Sequence, residues 1–135
     1  MRNRLNPALM VAVIACAALA GPLARAQDAD PTALPYAAQM LRLSEILGAL
    51  HYLRQLCNSG EGGRWRDQME ALIESEQPDE LRKARMVDAF NRGYQGFRSV
   101  YRTCTPAAEL AVGRYMDEGA KIAADIAARY GKTDG

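Results

Sequence analysis

The sequence predicts an all-α fold, a small antiparallel bundle of about four helices stapled by one disulfide. Three observations predict it. From about residue 36 onward, apolar residues recur at spacings of three, four and seven, the period of helices with a buried face. No stretch of useful length alternates as a half-buried strand does, and there is no repeat or low-complexity tract. Two cysteines, Cys57 and Cys104, fall at the predicted ends of the first and third helices, and alternating up-and-down helices bring those ends together.

Residues 1–26 are set apart as an export signal. Arg2 and Arg4 precede an uncharged run from Ala8 to Ala20, and Ala24-Arg25-Ala26 supplies the small residues read at a cleavage site, so the mature chain is expected to start at Gln27 in the periplasm. The run of 13 residues is shorter than the roughly 20 a helix needs to cross a bilayer, so no membrane span is expected. Val13-Ile14-Ala15-Cys16 also satisfies a loose lipoprotein pattern, which would make Cys16 a lipidated first residue. Against that reading, the apolar character continues through Ala17-Ala18-Leu19-Ala20.

Residues 27–35, with two prolines and no apolar period, form a flexible leader. The bundle domain then occupies 36–130, followed by a tail over 131–135. Its first helix is expected from Tyr36 to Cys57, burying Tyr36, Met40, Leu43, Leu47 and Leu50 along one face. The segment Asn58 to Gly63 stops it. A second helix spans Arg64 to Glu76, with Trp65, Met69, Leu72 and Ile73 on one side and acids on the other. Pro78 opens the third, which runs to about Tyr101 and is expected to bury Val87, Phe90, Tyr94, Phe97 and Tyr101. Thr105-Pro106 gives an N-cap and a first-turn proline to the fourth, which runs through Val112, Met116, Ala123, Ile126 and Ala127 to Tyr130.

Charge and cysteine content narrow the function classes. The chain of 135 residues carries 17 Lys+Arg against 16 Asp+Glu, and removal of the signal leaves 14 against 16, so no nucleic-acid partner is indicated. With 49% hydrophobic residues the domain can build a core and is no disordered tail. Cleavage also removes Cys16, leaving Cys57 and Cys104 in an oxidising compartment with one possible pairing. A bridge across that loop contributes about 4 kcal/mol on the chain-entropy model. Two separate buried thiols are the other reading.

Few residues could carry chemistry. His51, the only histidine, sits at the margin of the first helix's apolar stripe with no second ligand-type group beside it, so it is a boundary structural histidine and no metal or cofactor is expected. Arg54 continues the line of Leu43, Leu47 and Leu50, and a guanidinium there needs a carboxylate from the second or third helix or an anion to anchor. Arg82, Lys83, Arg85, Arg92, Arg98 and Arg102 stand against a single acid, Asp88, and helix geometry divides them, with Arg85 and Arg92 on one side and Asn91, Arg98 and Arg102 on the other, flanking the core face. A solvated face matched to the acidic second helix explains this strip; a partner-binding surface is the alternative, which the planar fork of arginine suits. Gly93 and Gly96 within it point to close helix approach or to a groove. Gly60, Gly62 and Gly63 lack the lysine and strand of a phosphate loop and form a turn. The acids of the second helix lie one turn apart on a solvated face, leaving Glu61 as the one candidate general acid.

The segments Leu47 to Cys57, Trp65 to Met69, Phe90 to Phe97 and Tyr101 to Thr105 together resemble an uncharacterised family of small exported alphaproteobacterial proteins with two well-separated cysteines, a domain of unknown function. The resemblance covers residues 40–110. It implies a periplasmic setting and a disulfide between Cys57 and Cys104, and brings neither an activity nor a catalytic residue.

The expectation is therefore a non-enzymatic periplasmic binding or envelope-associated module, with Arg54, Asn91, Arg92 and Arg98 as the candidate surface for an unknown envelope protein or anionic ligand. A cell-wall hydrolase, or a regulator of one, using Glu61 is the alternative.

Overall fold

The computed structural model describes residues 33–131. The predicted signal, Cys16, residues 27–32 of the leader and 132–135 of the tail lie outside the described residues. Within them the chain forms four helices and no strand: α1 Ala37–Leu56, α2 Arg64–Glu76, α3 Glu80–Val100 and α4 Pro106–Tyr130. A disulfide joins Cys57, at the end of α1, to Cys104, in the turn after α3, with Cα atoms 4.9 Å apart.

Local chemistry sets the helix ends. Asn58, Gly60 and Gly62 all take positive φ, so the chain leaves α1 through a left-handed turn that three small or polar residues tolerate. Asp79 caps α3, its carboxylate accepting the Arg82 backbone N–H at 2.8 Å. Pro78 therefore lies ahead of the cap and does not open the helix, contrary to expectation. Thr105 caps α4 through the Ala108 N–H at 3.1 Å, with Pro106 as the first helical residue.

α1 is the hub of the bundle. It packs against all three other helices, most extensively against α3. Met40 meets Met86 at one end, and at the other the Tyr52 hydroxyl donates to the Tyr101 carbonyl, so α1 and α3 run parallel. Arg42 pairs with Glu118 and Gln39 with Asp125, while Leu53 packs with Ala108, so α4 runs antiparallel to α1. The up-down-up-down order holds, with two alternate helices pressed together at its centre.

Glycine makes that contact possible. A β-carbon on Gly48 would overlap the carbonyl oxygen of Phe90, and one on Gly93 would overlap the carbonyl of Glu45. The backbones of α1 and α3 therefore touch at their crossing. Three surrounding helices leave α1 little solvent face: Ile46, Leu47, Gly48, Ala49 and Leu50 are buried in succession, where one apolar stripe was expected.

The same closeness shifts the buried faces of its neighbours. In α3 the central positions are Met86, Ala89 and Gly93, while Phe90, Tyr94, Phe97 and Tyr101 flank the contact half-buried and Val87 is exposed. In α4 the buried set is Ala108, Val112 and Gly119; Met116, Ala123 and Ala127 are exposed and Ile126 is half-buried. Where helices approach closely, small side chains take the centre and large ones the margins.

Two core clusters result. At the disulfide end Ile46, Leu50, Leu53, Ala108 and Val112 are wrapped by Trp65, Phe97, Tyr101 and Tyr115. At the other end Met40, Leu47, Met69 and Met86 pack with Phe90 and Ile126. Ser44, fully buried, donates its hydroxyl to the Met40 carbonyl at 2.9 Å, so no polar atom is orphaned there.

Candidate functional site

The polar residues singled out by the sequence occupy separate places. Arg54 lies at the disulfide end of the bundle, where it grips Glu61 with two hydrogen bonds of 2.8 and 2.6 Å. Its partner comes from the glycine turn and not from α2 or α3 as expected, because the left-handed turn folds Glu61 back over the last turn of α1. The Trp65 indole N–H donates to the same carboxylate at 2.7 Å. These contacts hold Glu61 well below the usual carboxylate range, at about 2, with the Arg54 hydrogen bonds as the largest cause. A carboxylate so engaged carries no proton to donate at neutral pH, the reverse of what a general acid needs.

The basic residues of α3 do not pair with α2. Among the described residues, Lys83, Arg85, Arg92, Arg98 and Arg102 take part in no ion pair, while Glu70 of α2 is paired with Arg66 of its own helix and Glu76 accepts from Tyr36. Direct ion pairs between the acidic α2 and the basic α3 are thus absent among the described residues, although Glu76 of α2 and Arg85 line one pocket. Arg85, Arg92 and Arg98 are all exposed. Arg92 borders the α3–α4 side with Gly96, Phe97 and Tyr115, and Gly96 has open space where close approach was one expectation.

Asn91 lies on the other side of α3, in a groove of about 460 Å³ between α2 and α3. Sequence reasoning missed this groove. Its base is Met69 and Ile73 from α2 with Val87 and Phe90 from α3. Arg66 and Glu70 stand on one wall, Asn91, Tyr94 and Gln95 on the other, and His51 of α1 reaches it from below. The imidazole sits 5.8 Å from the Phe90 ring and 5.7 Å from Tyr94. Its Nδ1 is sealed from solvent and has no hydrogen-bond partner. Burial lowers the pKa of His51, Arg66 lowers it further and Asp67 opposes them, so the ring is neutral at neutral pH.

No local pattern marks this groove in the sequence, since its parts come from three helices. The one signal available was His51 itself, at the boundary of the apolar stripe. Among the described residues no group of three or more His, Cys, Asp or Glu side chains could hold a metal ion, and no helix is long and apolar enough to cross a membrane.

Comparison with known proteins gives one match. The family model of a protein of unknown function, DUF2385, matches residues 35–130, which takes in all four helices and both disulfide cysteines. No curated protein and no solved structure matches.

Proposed function

The chain belongs to this family of unknown function, and from that premise we propose that it is an exported, non-enzymatic binding module of an alphaproteobacterial envelope, meeting an acidic partner through the exposed arginines of α3. The carrying observation is the set of exposed arginines, Arg85, Arg92 and Arg98, that form no ion pair among the described residues. Unpaired guanidinium forks along one helix suit carboxylate or phosphate groups, and charge-assisted contacts of this kind contribute about 1.5 to 3 kcal/mol each. Export is supported by the basic, apolar and small-residue regions of 1–26, and by the pairing of Cys57 with Cys104, since disulfides persist in oxidising compartments.

The test is crosslinked capture from the envelope fraction of cells expressing the full chain, with Arg85→Gln/Arg92→Gln/Arg98→Gln as comparison. Capture of an acidic partner should fall in the triple variant and with rising salt, at unchanged melting temperature. Undiminished capture overturns the role of these arginines. Intact mass settles export: a product beginning at Gln27 in the periplasmic fraction is expected, and one retaining Met1 in the cytoplasm sinks that part of the reading.

A further inference from the structure

We propose that the groove between α2 and α3 binds a small carboxylate bearing an apolar group, the acid held by His51 Nε2–H and Arg66 and the apolar part seated on Met69, Ile73, Val87 and Phe90. This goes beyond the exposed arginines of α3, since none of Arg85, Arg92 and Arg98 lines the groove.

The argument starts from the imidazole. Nδ1 is enclosed without an acceptor nearby, so a proton there would be a buried, unsatisfied donor. The neutral ring then carries its proton on Nε2. That nitrogen makes no hydrogen bond to the described chain, and with Nδ1 sealed it belongs to the part of the ring that meets the groove. The site thus offers a free N–H donor at the bottom of an otherwise apolar floor. Its complement is an oxygen acceptor attached to an apolar body.

The walls specify charge. Arg66 is close enough to influence His51 electrostatically, and its one ion pair among the described residues is with Glu70 at 3.4 Å, both side chains about two-thirds exposed. Such a pair is weak and yields its guanidinium to an incoming carboxylate. From α3 the groove receives the uncharged polar residues Asn91, Tyr94 and Gln95; the acids facing an incoming anion are Glu70 in the lining and Asp67, which acts on His51 from outside it. A volume of about 460 Å³ lies within the range of small-ligand sites. The same chemistry is presented by a free amino-acid-like acid and by the C-terminus of a peptide ending in an apolar residue.

His51 is the only histidine in the chain, so its imidazole gives one resolvable proton resonance. Titrating the full chain with N-acetylphenylalanine should move that resonance and raise the pH at which it titrates, because a bound carboxylate favours the imidazolium. N-acetylphenylalanine amide should bind about tenfold or more weakly, the loss of one charge-assisted contact. Arg66→Gln, an exposed change, should weaken the acid similarly. His51→Phe keeps the ring packing and should weaken the acid by severalfold, read from the Asn91 and Gln95 amide resonances, leaving the preference for acid over amide that Arg66 supplies. Ala-Ala-Phe separates the sources: tighter binding than N-acetylphenylalanine identifies a peptide terminus, equal or weaker binding a free acid. Equal binding of acid and amide to the unaltered chain overturns the proposal, as does no response to any probe at millimolar concentration. Wild-type affinity for the acid in both Arg66→Gln and His51→Phe overturns it too.

Discussion

Along α3, helix α1 is met backbone to backbone, through Gly48 and Gly93, and the two helices are tied again by the Cys57–Cys104 bridge. Along α2 the same helix is met by side chains alone, chiefly Trp65, Met69 and Leu72, and open grooves flank the contact on both sides. One groove lies toward α3; the others, of about 400 and 570 Å³, lie toward α4. The difference teaches where this fold is fixed and where it can accept a guest. Binding surface is created by helices that are held on one side only.

If that contrast is right, its tight side should be the least forgiving. The largest effect is expected from Cys57→Ser or Cys104→Ser, each costing about 2 to 5 kcal/mol in urea unfolding of the oxidised protein. The double variant should cost no more than either single one, since both remove the same crosslink. Additive losses would mean that the bridge contributes less than the packing of the separate side chains.

Next comes the glycine crossing. Gly48→Ala and Gly93→Ala must push α1 and α3 apart, a strain of about 1 to 3 kcal/mol. The matching substitutions at Gly96 and Gly113, which have open space, should instead stabilise by about 0.5 to 1 kcal/mol through helix propensity. Equal destabilisation at all four would show that glycine is needed for reasons other than contact.

The disulfide end holds a third test, which depends on pH. Glu61 titrates at about 2 in the fold against an ordinary 4.5, so its contribution is complete above pH 4.5 and is lost as pH falls toward 2. Thermal melts across that window should show a decline that Glu61→Gln flattens. Arg54→Ala should lower the melting temperature at neutral pH, because it strips the carboxylate of its two strongest donors.

The smallest effect is expected at the exposed arginines of α3. Arg92→Ala and Arg98→Ala should each stay within about 0.5 kcal/mol of wild type, as unpaired surface changes do. A larger loss would reveal a structural task for these guanidiniums.

Much of this contrast was visible in the sequence at the level of elements and invisible at the level of faces. Thr105-Pro106 and the glycines after Asn58 act within a few residues, so they mark their boundaries whatever the rest of the chain does. The residues of α2 were delimited correctly for the same reason. The buried faces of α3 and α4 were misplaced because a helical wheel weights large apolar side chains, and Phe90, Phe97 and Met116 drew the stripe toward themselves. At the α1–α3 crossing the centre belongs to Ala89 and Gly93, and where α4 meets the Ile46 side chain it belongs to Gly119; their smallness is the signal. Gly48, flanked by Leu47, Ala49 and Leu50, could have given it away. The partner of Arg54 was sought on a helix because a turn is rarely credited with returning a side chain, yet three positive-φ residues do that here. The α2–α3 groove had no linear trace beyond His51, because its parts come from three helices.

A helix surrounded on three sides also sets the order in which parts of the molecule can come loose. Amide protons in the middle of α1, from Ile46 to Leu50, can exchange with solvent only when neighbouring helices leave together, so their exchange should report the global unfolding free energy. Those of α2 need only the release of Trp65 and Met69. Residues 57–104 form one covalent loop that contains the whole of α2, so a detached α2 stays close to its seat and returns quickly. The chain is thus divided into a slow-exchanging axis and a fast-exchanging flap, and the flap carries one wall of the groove.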